Sequence, residues 1–225
     1  MQYIKGLDAF DGRNHTAVTL GKFDGLHRGH QKLLNRIMKY AKKEDCDSVV
    51  CAFDMDRDCL MTNEERRAFL EDKVDYLIEI PFTREMMEME AEKFIDEILY
   101  KKLHASHIVV GTDFNFGHEK RGNHQMLEKY AAKYGYTVDV VEKAYYKDRE
   151  ISSTYIRELL LDGNVPLANE LLGYPYEITS VVEHGQQLGR TLGFPTMNLA
   201  PQGKKILPKY GVYACRVLVD GVWYG

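Results

Sequence analysis

The stretch Thr16–Leu34, TAVTLGKFDGLHRGHQKLL, decides the fold. Ala17–Leu20 is a short apolar run that reads as a buried strand. It breaks at Gly21 and turns through Phe23-Asp24-Gly25. A helix then follows, expected over Gln31–Lys43, because Leu33, Leu34, Ile37 and Met38 recur at helical spacing. A strand, a glycine-bearing turn and a helix N-terminus in succession make an anion site, since the first N–H groups of a helix lack partners and carry the positive end of its dipole. His27 and His30 stand three residues apart at that entrance, so both imidazoles face one side, where they can hydrogen-bond phosphate oxygens together. Gly29 between them lets a ligand approach the backbone closely.

Working outward, Ser48–Phe53, Tyr76–Ile80 (ended by Pro81), His107–Gly111 and Thr137–Val141 read as further buried strands. Between them lie a helix opened by Thr62-Asn63-Glu64-Glu65, an amphipathic helix over Glu90–Leu103, and one from Asn123 to Tyr134. Met86, Met87 and Met89 read as packing. Strands alternating with helices predict an α/β fold with a parallel, Rossmann-like sheet covered on both faces, whose ligands lie at the carboxyl ends of the strands. Two constellations fall at such ends. Gly111–Gly117, GTDFNFG, followed by Arg121 and Gly122, offers aromatic rings that suit a flat heteroaromatic ligand. Ser152-Ser153-Thr154-Tyr155-Ile156-Arg157 runs into a helical pattern, with its hydroxyls at the N-cap. The loop Phe53-Asp54-Met55-Asp56-Arg57-Asp58 admits two readings, a solvated acidic loop or a segment near a metal-bound triphosphate.

After the helical pair Tyr155–Leu161 and Pro166–Leu172, the composition changes at Gly173-Tyr174-Pro175. Short alternating runs around Ile178 to Val182, Gly189 to Leu199 and Gly211 to Val219, with no helices between them, predict a small antiparallel barrel. The whole chain has 225 residues, 44% of them hydrophobic and 28% charged, with a net charge of −4 that argues against nucleic acid as a partner. Cys46, Cys51, Cys59 and Cys215 follow no regular spacing, which points to free thiols in a reducing cytoplasm. No apolar run is long enough to span a membrane, and the N-terminus lacks a signal-peptide core.

G-x-F-D-G-x-H-x-G-H over Gly21–His30 resembles the signature of HIGH-type nucleotidyltransferases, and in this form the adenylyltransferase half of the bacterial bifunctional riboflavin kinase/FAD synthetases. The resemblance implies a nucleotidyltransferase domain over residues 1–173 that moves AMP from ATP to FMN with Mg²⁺, giving FAD and pyrophosphate. His27, His30 and Arg157 would carry the chemistry, with Arg157 clamping the departing pyrophosphate. Gly21, Phe23, Asp24, Gly25, Gly29, Ser153 and Thr154 would contact ATP, and Asp113, Phe114, Asn115 and Phe116 the flavin. The chain departs from the family in three places: both prolines of a Phe-x-Pro-x-Pro segment are missing after Phe53, Asn115 stands where Arg is frequent, and Tyr155 replaces a second Arg. Two other readings stay open, an adenylyltransferase for a different phosphate acceptor and a non-catalytic flavin- or nucleotide-binding module.

G-R-T-L-G-F-P-T-M-N-L over Gly189–Leu199 resembles the riboflavin kinase signature. By that resemblance Gly189, Arg190, Thr196 and Asn198 would hold the metal and phosphates of a nucleotide, with riboflavin as acceptor in the full-length family. Residues 174–225 then read as the first part of a kinase-like barrel, truncated at Gly225 before the Glu that serves the kinases as general base. The expectations are a segment less stably folded than the first domain, no phosphorylation of riboflavin, and weak self-association through an open barrel edge.

Overall fold

A computed structural model describes residues 1–54, 58–186, 188–201 and 203–225. Met55-Asp56-Arg57 of the acidic loop therefore lie outside the described residues. Six parallel strands make the main sheet, in the order β1-β4-β3-β2-β5-β8. They are β1 (Gln2–Lys5), β2 (Thr16–Gly21), β3 (Asp47–Asp54), β4 (Tyr76–Pro81), β5 (Ala105–Gly111) and, after the short β6 (Asn115–Phe116) and β7 (Gly122–Asn123), β8 (Thr137–Val141). The connecting helices are α1 (Arg28–Lys43), α2 (Asn63–Leu70), α3 (Arg84–Glu88), α4 (Ala91–Lys93) and α5 (His124–Tyr134). Helix α4 continues into a π-helical stretch, Phe94–Lys102, closed by the bond from Leu103 N–H to the Ile98 carbonyl. So the helix expected over Glu90–Leu103 is present, but most of it is wound more loosely than an α-helix.

The central strands are buried on both faces, which is why their sequences are continuous apolar runs. Alternate residues serve opposite sides. Val18, Leu20, Val49, Cys51, Ile108 and Val110 pack against Phe94, Ile95 and Leu99, whereas Ala17, Val50, Ala52 and Val109 pack against Leu34 and Ile37 of α1. Caps set the helix starts: Thr62 and Glu65 form a reciprocal capping box on α2, and Asn123 accepts from Met126 N–H on α5. Strand β1 went unread in the sequence because only Ile4 of its four residues is buried. It is an edge strand, and edges carry a weak apolar pattern.

Chain order and sheet order differ in a way that locates the site. Strand β2 sends its connection to β3 on one side, whereas β5 and β8 fill the other, so the order in which the parallel strands are added reverses between β2 and β5. Open α/β sheets bind ligands at such a crevice, outside the carboxyl ends of the strands. The hairpin β9 (Tyr145–Tyr146) and β10 (Arg149–Glu150) leads from β8 into α6 (Ser153–Leu161), which pairs with α7 (Val165–Leu172). Ile156, Leu159, Leu160, Ala168, Leu171 and Leu172 of this pair close a third apolar cluster over Leu60 and Ile151.

Past Leu172 no described residue is buried as a whole, although the Lys205 side chain is. The antiparallel pattern is realised as two separate strand pairs, β11 (Val182–Glu183) with β12 (Asn198–Leu199) and β13 (Val217–Val219) with β14 (Val222–Tyr224), plus the single turn α8 (Leu188–Thr191). Among the described residues these do not join into a closed barrel. Leu192, Phe194 and Val212 stand 73%, 77% and 102% exposed. The segment holds to the α/β body at a few points. Tyr174 Oη donates to the Gly25 carbonyl, Lys209 N–H donates to the Leu160 carbonyl at 2.9 Å, and Lys205 pairs with Cys59 in a parallel bridge.

Candidate active site

The turn after β2 is strained and clamped. Phe23 and Leu26 adopt φ of 44° and 35°, values that L-residues avoid, and both are fully buried. Their apolar burial offsets a backbone cost of roughly 1–3 kcal/mol each. Gly25, at φ 82°, is the position where a glycine is required: a Cβ there would also lie 2.9 Å from Leu60.

This turn delivers His27 to the N-cap of α1 and His30 to its first turn. The two rings stack at 3.8 Å with 23° between planes, and the edge of Phe23 meets His30 at 5.2 Å. Neither Nδ1 finds a protein partner although both atoms are buried. Burial pushes the His27 pKa down to about 4, and burial together with the neighbouring His27 pushes His30 well below the ordinary imidazole value. At neutral pH the pair is therefore uncharged and meets an anion as hydrogen-bonding groups rather than as cations. A Cβ on Gly29 would stand 3.1 Å from the His27 ring and 3.6 Å from the Ile151 carbonyl, so here the start of α1 lies against the chain entering α6.

Helix α6 supplies a second N-terminus. Ser152 caps it by accepting from Tyr155 N–H at 3.2 Å, and Ser153 Oγ donates to the Asp24 carbonyl at 2.8 Å. Ser152 and Ser153 line a cleft of about 630 Å³ with Gly21, Phe23, His27, Gly29 and His30, and the Asp113–Gly117 loop forms its far wall. In that loop Phe114 stacks on Phe116 at 5.6 Å and Phe116 reaches Phe94 at 5.2 Å, so Phe116 belongs to the core as much as to the cleft. The Asn115 side chain donates to the Asp113 carbonyl at 2.7 Å.

Four of the expected site residues are not among those lining this cleft. Thr154 is exposed on the outside of α6. Gly25 is buried beneath Leu60 and contributes conformation. Asp24 is 7% exposed, and its carboxylate is taken up by protein: Oδ1 accepts from Leu60 N–H at 2.7 Å and Met61 N–H at 3.3 Å, while Oδ2 pairs with Arg157. Arg157 also donates to the Asp58 carbonyl at 3.3 Å, through the same Nη2. Asp24 and Arg157 thus form an ion pair behind the turn. Asp24 faces a neighbouring cavity of about 700 Å³ that shares Lys22, Phe53 and Phe82 with the cleft.

Among the charged residues of the cleft that were not singled out in the sequence are Lys143 and Glu150. Lys143 sits 2.8 Å from Glu150 and 3.0 Å from Asp113, linking the aromatic loop to the hairpin that feeds α6. The hydrogen bond to Glu150 raises its pKa, as does the one to Asp113, against the opposing effect of burial. Its place just past the carboxyl end of β8 is the one signal that could have found it. Of the downstream signature, Gly189 and Arg190 lie on α8, Thr196 is exposed and Asn198 is on β12. None of them lines either cavity.

Residues 10–155 match the FAD synthetase family model, and residues 172–225 match that of riboflavin kinase. The bifunctional riboflavin kinase/FMN adenylyltransferase of Buchnera aphidicola subsp. Schizaphis graminum is 35% identical over 230 residues, which cover 96% of this chain and 73% of that protein. The Escherichia coli K12 protein of the same name is 35% identical over 212 residues, covering 89% of this chain and 67% of that one. A crystal structure described as a macrolide-efflux protein from Streptococcus pneumoniae superposes with a TM-score of 0.89 at 31% identity, over 99% of this chain and 76% of that chain.

Proposed function

The chain belongs to the FAD synthetase family, and from that premise we propose that it is an FMN adenylyltransferase acting in the cleft between β2 and β5. A phosphate oxygen of FMN bonds to the α-phosphorus of ATP, the bond from that phosphorus to the β-bridging oxygen breaks, and pyrophosphate leaves. No protein nucleophile takes part, so positioning and charge stabilisation supply the rate. The N–H groups at the starts of α1 and α6 face the phosphates, and neutral His27 and His30 donate to the α-phosphate as charge develops. Arg157 keeps Asp24 on Nη2 behind the turn and is not among the residues that line the cleft, so it serves the departing pyrophosphate by turning the rest of its fork towards it. The aromatic loop from Asp113 holds the isoalloxazine.

ATP enters as its magnesium complex, with the metal carried on the phosphates. Among the described residues no three His, Cys, Asp or Glu side chains gather into a metal cage. The efflux for which the pneumococcal protein is named has no counterpart in a cleft built of phosphate donors. Among the described residues no helix is long and apolar enough to cross a membrane.

The observation that carries this reading is the convergence of two helix N-termini, an uncharged histidine pair and an aromatic loop on one cleft. Incubation with ATP, Mg²⁺ and FMN, followed by chromatography, tests it. FAD and pyrophosphate are expected in equal amounts, and their absence, or transfer only to another phosphate acceptor, overturns it. We place the division between this unit and the kinase-like one at Gly173. The 225-residue chain as it stands should not convert riboflavin to FMN, because Thr196 is exposed outside any strand and Asn198, on the two-residue β12, is exposed and lines neither cavity. Steady FMN production at a rate near that of FAD formation would refute this.

A further inference from the structure

We infer that Lys205, a residue of the downstream segment, is a positioning residue for Arg157 and so for the ATP side of the adenylyltransferase cleft. The inference rests on the function proposed above. The Lys205 side chain is almost fully buried in an ion pair, at 4% exposure, and its partner Glu65 is at 9%. An ammonium taken out of water must have its donors satisfied by well-placed acceptors. Its partners here are the Glu65 carboxylate at 2.5 Å, the Leu60 carbonyl at 2.8 Å, and the face of the Tyr176 ring at 4.5 Å. The backbone on either side of it is fixed as well: Cys59 N–H donates to the Lys204 carbonyl and Ile206 N–H to the Cys59 carbonyl, both at 2.9 Å.

Residues 204–206 thus grip Cys59 and Leu60, and the loop that holds these two is what holds the ion pair behind the turn. Leu60 gives its carbonyl to Lys205 and its N–H to Asp24. Asp24 holds Arg157, which also donates to the Asp58 carbonyl, and the Asp24 carbonyl receives Ser153 of α6. A continuous chain of hydrogen bonds therefore runs from Lys205 through Leu60 and Asp24 to both Arg157 and the start of α6. Glu65 adds a second fixed point, because its carboxylate closes the capping box of α2 with Thr62 N–H while it holds Lys205. Releasing Lys205 frees the Leu60 peptide and leaves Asp24 without a rigid seat. Arg157 then samples orientations that no longer meet the nucleotide. Flavin contacts, which lie across the cleft on the Asp113 loop, stay in place.

The test is a double-mutant cycle on the full chain with Lys205→Met, Arg157→Ala and the combination. Initial rates of FAD formation are measured against ATP at saturating FMN and against FMN at saturating ATP. Lys205→Met should raise the KM for ATP by about five- to twentyfold and leave the KM for FMN within about twofold, the size expected when coupling passes through a contiguous network. In the Arg157→Ala background the same change should raise the ATP KM by less than about twofold, because the element through which Lys205 acts is already gone. An unchanged ATP KM, equal rises for both substrates, or effects that multiply in the double variant would each overturn the assignment. If Lys205→Met does not fold, Lys205→Gln, which keeps a polar head beside Glu65 on a shorter side chain without the ammonium that holds the Leu60 carbonyl, carries the test with the same outcomes. A wild-type chain that makes no FAD refutes the function proposed above. ATP dissociation constants of the same proteins, measured by calorimetry, then still decide for or against Lys205.

Discussion

Helix α7 and the stretch Gly189–Leu199 both carry large apolar side chains, and these meet opposite fates. In α7, Ala168, Leu171 and Leu172 are fully buried against α6 and the loop at Leu60. In the other stretch, Leu192, Phe194 and Met197 stand 73%, 77% and 53% exposed in the loop between α8 and β12. An apolar pattern specifies which side of an element seeks a partner, but stability comes only where a partner surface exists. Helix α7 finds one that is local in the chain. The strand pairs after Leu172 present edges and apolar faces that no described residue covers.

Hydrogen exchange is where this contrast should be widest. Amides of the central strands should exchange more slowly than those of residues 188–199 by a factor on the order of 10³ or more, since local opening ranges from almost no cost up to the global stability. Comparable protection in both regions would break the comparison. Within the downstream segment the Ile206 and Lys209 amides, bonded to Cys59 and Leu160, should be the slow exceptions.

The site itself gives the next effect. His30→Ala should lower FAD formation by on the order of 10² to 10³ at saturating ATP, the usual cost of removing one preorganised donor, with the fold intact by circular dichroism. A loss under about threefold would make the residue structural only.

Paired core truncations then put a number on the contrast. Leu171→Ala should cost about 2–5 kcal/mol in urea unfolding, because it opens a cavity in the third apolar cluster. Leu192→Ala should cost under about 0.5 kcal/mol, as surface substitutions do. Equal costs would show that residue 192 is packed in solution.

The smallest effect is a slope with pH. An ordinary imidazole titrates near 6.5, and His27 in the fold near 4. Between those values the unfolded chain binds a proton that the folded chain refuses. Stability therefore falls as pH drops from 6.5 towards 4 and is flat in this respect above 6.5, with a slope of at most about 1.4 kcal/mol per pH unit from His27. Unfolding free energies at pH 7.5, 6 and 5 for the wild type and His27→Gln measure it, and the same slope in both proteins would overturn the assignment of an uncharged buried imidazole.

Much of the α/β body was legible in the sequence. Strands at Ala17–Leu20, Ser48–Phe53, Tyr76–Ile80, His107–Gly111 and Thr137–Val141 all lie within observed strands, and Thr62 and Asn123 both cap helices as their side chains suggest. Period, cap and turn chemistry act over a few residues, so a local reading reaches them. Edge strand β1, the π-helical winding of Phe94–Lys102 and the start of α1 at Arg28 were out of reach, since each depends on what packs alongside.

For the site, the sequence by itself determined the strand, turn and helix that bring His27 and His30 to one entrance, because three-residue spacing on a first helical turn leaves two side chains little choice. It also placed the Asp113 loop and the Ser152–Ser153 start of α6 at strand and helix ends. What only the tertiary structure decided is which groups those ends meet. Asp24 finds Arg157 across 133 positions, and Lys205 finds Leu60 across 145. Charged residues on the sequence page read as solvated or as ligands for a phosphate. Here they are held by one another, because burying the turn after β2 leaves a carboxylate that must be neutralised, and the cation it pairs with, Arg157, comes from a helix the chain builds more than a hundred residues later.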